Sequence, residues 1–287
     1  MESTNSYFNP HQILDGFASL RRHHEAKRKF REQQLNVISV PTGSRVIDIG
    51  CGPGLYLHYW LNLTRGHNVS FTVLDSSAAA LNECKRIAGD AGVPDRVECI
   101  QLDLFSLSEI DPDSFDVVFV GYTIEYVSDP VNWLRTQVKP LLKPGGKVAL
   151  RDLDCAFMNC NVVDPALNSK IVFSRIRNGQ VNSRDSGIYQ NAFVGRELRR
   201  YLIEAEFASV EQFPYFIEFT GPLNVEQIDY LFHLHTTWYV EDRLHILTEH
   251  EKMIWSAYFN PNSPQCILNH SSFNYVEAEY LAIATKA

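Results

Sequence analysis

The chain has 287 residues, 45% of them hydrophobic, and its 34 acidic against 26 basic side chains give a formal charge of -8. This length allows two domains of ~150 residues or one α/β domain with insertions, and the acidic balance argues against general binding of nucleic acid or an anionic membrane, leaving a small molecule as the expected partner. The first ten residues lack the apolar core of a signal peptide and no segment approaches the ~20 apolar residues of a membrane span, so a cytoplasmic location is expected.

In chain order, Ile13, Leu14, Phe17 and Leu20 have helical spacing, and the basic run that follows (Arg21, Arg22, Lys27, Arg28, Lys29, Arg31) reads as a solvated helix face. Arg45 to Gly54 reads Arg-Val-Ile-Asp-Ile-Gly-Cys-Gly-Pro-Gly: a short β-branched strand running into a glycine-rich turn. Asp48 interrupts that strand, and a carboxylate there needs a partner. Leu55 to Leu63 suits a helix, so the order is strand, glycine loop and helix, which aims helix N-terminal amides at a ligand. The loop is Gly-x-Gly-x-Gly, whereas the dinucleotide fingerprint is Gly-x-Gly-x-x-Gly.

Val69 to Asp75 predicts a second strand, ending in a carboxylate suited to a ribose; the alternative for Asp75 is a cap for the helix beginning at Ser76. Val97 to Leu102 predicts a third strand, followed by Asp103, Leu104 and Phe105. Phe115 to Val120 is a central parallel strand by its continuous apolar run, with Gly121 and Tyr122 at its carboxyl end. Lys143-Pro-Gly-Gly is a turn into a fifth strand. Beyond Arg151 the pattern predicts a short helix over 165–177, a polar loop over 178–191, a helix over 195–207 and strands over 210–219 and 275–285. The roughly 50 residues between those two strands exceed an ordinary hairpin loop. Val225, Ile228, Leu231, Phe232, His235, Trp238 and Tyr239 share one helical stripe there, and Thr248-Glu249-His250-Glu251 is a capping box. The stripe is either a pocket wall or plain core. The six cysteines (Cys51, Cys84, Cys99, Cys155, Cys160, Cys266) contain no Cys-x-x-Cys pair, which favours reduced thiols. Cys155 and Cys160 lack a third ligand nearby, so no metal site is expected.

Asp48, Gly50, Gly52 and Gly54 match the first motif of the class I S-adenosylmethionine-dependent methyltransferases, and from Val46 to Leu150 the chain resembles that family. The resemblance implies a doubly wound, mostly parallel seven-stranded sheet with an antiparallel last strand, here with an added helical cap. It divides the chain into an N-terminal helical lid (1–40), a Rossmann-like core (41–221 and 273–287) and an inserted cap (222–272). The cofactor it implies is S-adenosyl-L-methionine, held by Asp48, Gly50, Cys51, Gly52 and Gly54, with Asp75 and Ser76 at the ribose, Asp103 and Leu104 at the adenine, and Gly121 and Tyr122 at the strand end. Tyr7, Phe8 and Arg22 are candidate lid contacts. The family's histidine pair after the fourth strand is replaced by Thr123-Ile-Glu-Tyr-Val127, so the candidates for a base are His235, Tyr189 and Asp154, although His235 on its apolar stripe reads first as a hydrogen-bonded core histidine. The expected reaction is methyl transfer to O, N or C of a small, partly apolar molecule by a monomer or homodimer. The alternative is a protein that keeps the cofactor without methylating, either a cyclase or rearrangement catalyst or a regulatory partner.

Overall fold

The computed structural model describes residues 16–161, 164–178, 180–182, 189–238 and 247–287. Its centre is a seven-stranded sheet in the order β3-β2-β1-β4-β5-β9-β8. β1 (Arg45–Ile49) pairs in parallel with β2 (Ser70–Asp75) on one side and β4 (Phe115–Gly121) on the other. β3 (Val97–Gln101) lies outside β2, and β5 (Leu142–Cys160) runs parallel to β4. β9 (Asn274–Thr285) is antiparallel to β5 and to β8 (Ala208–Thr220), between which it lies. The sheet is therefore the expected mostly parallel one with its last strand reversed. Strand order switches direction between β1 and β4, which opens a crevice at their carboxyl ends, the usual ligand position in this architecture.

Burial of β1 on both faces explains its β-branched run. Ile47 and Ile49 pack with Trp133, Leu198 and Val118 on one side, and Val46 packs with Leu57, Trp60 and Leu281 on the other. Covering this second face are α1 (Ala18–Ala26), α2 (Arg28–Val37), α3 (Leu55–Leu63) and α4 (Ala78–Asp90). The first face is covered by α5 (Pro130–Trp133) with its π-helical continuation Leu134–Val138, and further along the chain by a helix over Leu198–Glu204.

β5, β8 and β9 run well past the end of β4 and carry a third apolar cluster beyond it. That cluster joins Tyr275 and Phe219 of the strands to α6 (Pro165–Asn178), then, past α7 (Leu198–Glu204), to α8 (Val225–His233) and α9 (Glu249–Phe259). The predicted capping box opens α9, with Thr248 and Glu251 each accepting from the other's backbone N–H.

Three expectations change. The polar loop over 178–191 contains a two-stranded ribbon, β6 (Gln180–Asn182) with β7 (Tyr189–Asn191), because backbone pairing needs no apolar side chains. The helix expected from Gly195 opens as a 3-10 turn over Val194–Glu197. The basic run is not a solvated face throughout: Lys27 and Arg31 are each only 1% exposed, because β9 presents two buried carboxylates beneath them.

Candidate ligand site at the switch point

The glycine loop leaves β1 with its amides already committed. Gly50 and Cys51 N–H both bond to the Leu74 carbonyl at 2.8 and 3.0 Å, and Gly52 N–H bonds to Asp75 Oδ2 at 2.9 Å. Gly50 has φ 69°, and a Cβ there would lie 2.4 Å from Thr123 Oγ1, so only glycine fits. Gly54, with φ 73°, is the left-handed residue that starts α3.

Three carboxylates border the loop. Asp75 takes the Gly52 and Ser77 amides, one on each oxygen, while Ser77 rather than Ser76 caps α4. Asp75 thus braces the loop and the helix start without being the cap itself, and it retains free lone pairs. Its pKa is raised by burial against the pull of these backbone bonds. Asp48 is fully buried, and its Oδ2 meets no partner among the described residues. Burial, with the nearby charge of Asp75, pushes Asp48 up to about 8. Asp103 is half-buried and holds the Phe105 amide at 2.9 Å, with Leu104 buried beside it.

At the end of β4, Tyr122 turns out of the strand with φ 54°, held by its N–H on the Arg151 carbonyl at 2.9 Å. Its hydroxyl accepts from Arg31 at 3.0 Å and Arg151 at 3.2 Å and donates to Glu279. Glu279 also takes Arg151, Gln34 at 3.1 Å and Lys27 at 3.4 Å; Glu277 takes Lys27 and the hydroxyls of Tyr230 at 2.7 Å and Tyr275 at 2.8 Å. Burial opposes ionisation of Glu277, but Lys27 and the two hydroxyls hold it below the usual range. Burial and the neighbouring cations push His23 and His24 well down, so both stay neutral.

Lys27, Arg31 and Arg151 face two carboxyl groups, Glu277 and Glu279; burial, against the pull of Glu277 and with Arg31 alongside, pushes Lys27 down to about 7, so the two guanidinium groups are the lasting cations of the cluster. Arg31 Nε, Arg151 Nη1 and the Tyr56 hydroxyl are buried without a partner among the described residues. Unpaired donors on two guanidinium groups suit a carboxylate, and the unpaired Asp48 Oδ2 suits an ammonium or hydroxyl donor. The pattern fits a zwitterionic amino-acid tail joined to a nucleoside.

None of Arg31, Arg151, Tyr56, Glu277 and Glu279 was among the residues singled out from sequence. Their signal was present: Glu277 and Glu279 stand two apart inside the otherwise apolar last strand, and Arg151 interrupts the fifth. Arg22 pairs with Asp229 of the cap at 2.5 Å, tying α1 to α8. Asp154 is buried in an ion pair with Arg196, at 2.5 and 2.8 Å, so its oxygens brace β5 to the 3-10 turn. His235 is 1% exposed, stacked on Phe259 at 3.9 Å beside Trp255 and Tyr275 in the cap's apolar cluster. Tyr189 opens β7 opposite Asn182, its side chain lying outside the described residues, as do Tyr7 and Phe8. Among the described residues no three His, Cys, Asp or Glu come together as metal ligands, and no helix is long and apolar enough to cross a membrane. A surface cleft of about 420 Å³ between Val37, Lys147, Glu211 and Thr285 lies at the opposite rim of the sheet.

Residues 47–148 match the family described as methyltransferase domain. The chain is 31% identical over 106 residues to a ubiquinone biosynthesis O-methyltransferase of Paracidovorax citrulli, covering 37% of this chain and 42% of that protein. It is 29% identical over 128 residues to the 27-O-demethylrifamycin SV methyltransferase of Amycolatopsis mediterranei, covering 45% of each. The chain thus spans less than half the length of these curated relatives. Among solved structures, the [4+2]-cyclase SpnF superposes with a TM-score of 0.50 at 15% identity, over 89% of this chain and 80% of that one.

Proposed function

We propose that this chain binds S-adenosyl-L-methionine at the switch point, as a class I methyltransferase does, and transfers the methyl group to O, N or C of a small, partly apolar molecule; the match of residues 47–148 to a methyltransferase domain supports this reading. The observation that carries this reading is the coincidence, around one Gly-x-Gly-x-Gly loop, of an unpaired acceptor on Asp48 and unpaired donors on Arg31, Arg151 and Tyr56.

When bound, the cofactor supplies a methyl group already activated on a sulfonium. Asp75 would accept from the ribose hydroxyls with its remaining lone pairs, Asp103 from the adenine amino group, and Leu104 would pack on the ring. Asp48 would receive the ammonium end, which draws its carboxyl toward the ionised form. Arg31 and Arg151 would hold the carboxylate. The chain's remaining work is to align an acceptor opposite sulfur and keep water out. α1 and α2 do the excluding, since their Lys27, Arg31 and Gln34 reach the strand carboxylates beneath and Arg22 reaches the cap.

The Tyr122 hydroxyl, at the lip of β4, has both lone pairs taken by Arg31 and Arg151 and its proton on Glu279, so it orders the two guanidinium groups rather than accepting a proton. Of the bases read from sequence, Asp154 is occupied by Arg196 and His235 by the aromatic cluster, and Tyr189 stays a candidate on its position alone. A small acceptor accords with the acidic net charge and with the names of the curated relatives. The cyclase superposition supports a second reading, cofactor retention without methyl transfer, because the same fold hosts both chemistries.

Calorimetry with S-adenosylhomocysteine and with a nicotinamide dinucleotide tests the ligand assignment. Binding of the first alone is expected, weakened about tenfold or more by Asp75→Ala. Binding of the dinucleotide alone would end the reading.

A further inference from the structure

The glycine loop meets α4 through two thiols. Cys51 Sγ and Cys84 Sγ lie 3.8 Å apart, both buried, and each points at the Gly52 carbonyl at 3.4 Å. The backbones carrying them are held to one another by Asp75, which takes the Gly52 amide from the loop and the Ser77 amide from the start of α4. A Cβ on Gly54 would lie 3.0 Å from Cys84 Sγ, so the helix presses on the loop from this side while Thr123 presses on Gly50 from the other.

We propose that Cys51 and Cys84 are an oxidation site, at which a peroxide converts the thiol pair to an intramolecular disulfide that ties the glycine loop to α4 and weakens binding of the adenosyl ligand. One thiol attacks the peroxide, its sulfur gaining an oxygen as a water leaves. The second thiol then displaces that oxygen as a second water, forming the S–S bond. Two protons and two electrons pass from the thiols to one peroxide.

Bringing the sulfurs from 3.8 Å to the ~2 Å of a disulfide removes both thiol contacts with the Gly52 carbonyl. It also shifts the loop against its bonds to Leu74 and Asp75. With Thr123 filling the space beside Gly50, the loop has no room to compensate by retreating on that side. Burial, with Cys84 alongside, pushes the Cys51 thiol up, so little thiolate forms while the loop is seated. Oxidation then proceeds from conformations in which the loop lifts, and a ligand that seats the loop slows it. The loss of ligand binding rests on the function proposed above; the formation of the disulfide does not.

The full chain, reduced and then exposed to hydrogen peroxide with and without S-adenosylhomocysteine, is digested and its cysteine peptides are read by mass spectrometry, with calorimetry on the same samples. Expected are a Cys51–Cys84 cross-linked peptide, its slower appearance in the presence of S-adenosylhomocysteine, and about tenfold weaker binding that a dithiol reductant restores. Cys84→Ser, with Cys84→Ala as a second variant should serine disturb folding, keeps the reduced affinity and loses the response to peroxide. Oxidation of Cys99 and Cys266 without the cross-link overturns the proposal, as does a cross-link that leaves affinity unchanged. A reduced chain that fails to bind S-adenosylhomocysteine counts against the proposed function, and the cross-linked peptide still decides whether the oxidation site exists.

Discussion

Asp48 is the residue in which stability and ligand binding oppose each other most directly. Its carboxyl titrates near 3.8 when unfolded and at about 8 in the folded chain, because it is buried, lies near Asp75 and has one oxygen unpartnered. Between those values the folded state holds a proton that the unfolded state has released, so stability falls as pH rises from about 4 to 8. Asp48→Asn removes this slope. Thermal melts of the ligand-free variant should match the parent at or below about pH 4 and exceed it by several degrees near pH 8, while S-adenosylhomocysteine binding weakens. A variant melting curve that follows the parent's pH dependence would show that Asp48 is not the titrating group. Arg31 makes a second case. Arg31→Met removes one of the two guanidinium groups proposed to hold the carboxylate, and binding of S-adenosylhomocysteine should fall by about tenfold or more while 5′-methylthioadenosine, which lacks the amino-acid tail, is little affected. Equal losses for the two ligands would place the carboxylate elsewhere. Tyr122→Phe keeps the ring between Arg31 and Arg151 but removes the hydroxyl that both donate to, so S-adenosylhomocysteine binding should weaken by calorimetry; unchanged binding would show that the hydroxyl does not order the two guanidinium groups.

Among the elements, the first two helices and the last strand depend on each other in a way that local pattern does not reveal. α2 and the turn before it place Lys27, Arg31 and Gln34 over β9, whose Glu277 and Glu279 are buried with Arg151. Glu279→Leu leaves Arg151 without its carboxylate, a change that costs about 3–5 kcal/mol in buried pairs. Arg22→Ala cuts a partly exposed pair with Asp229 and should cost at most about 1 kcal/mol. Denaturant unfolding of the two variants separates the cases, and similar losses in both would mean that the buried network is not what anchors these helices. Thr248→Ala tests the cap's own folding. Removing the hydroxyl that takes the Glu251 amide should cost about 1 kcal/mol by the same measurement.

On the scale of the whole molecule, the sheet and its glycine loop were legible in the sequence because their signals are local. Val46, Ile47 and Ile49 show a buried strand, three glycines show a turn that must pass close to something, and Asp75 and Asp103 follow at strand ends. Thr248 and Glu251 announced a helix for the same reason. The buried charge network was not legible, because its members come from α2, β5 and β9 and become neighbours only when the sheet closes. Read in one dimension, Lys27 and Arg31 belong to a charged helix surface; their partners lie about 250 residues away. The carboxyl rim of β1 and β4 carries the glycine loop, and the cap packs on the extensions of β5, β8 and β9. Binding of the proposed ligand should stabilise the chain, by about 2.7 kcal/mol at a hundredfold excess over Kd.

Methyl accounting decides between transfer and retention of the cofactor. The chain is incubated with S-adenosylmethionine carrying an isotopically labelled methyl group and with a panel of small phenols, hydroquinones, amines and polyenes, and the products are read by mass spectrometry. The account predicts one equivalent of S-adenosylhomocysteine for each labelled product, with the label on the acceptor and both lost together in Asp75→Ala. An acceptor converted without change in mass, while S-adenosylmethionine is recovered intact, would contradict it.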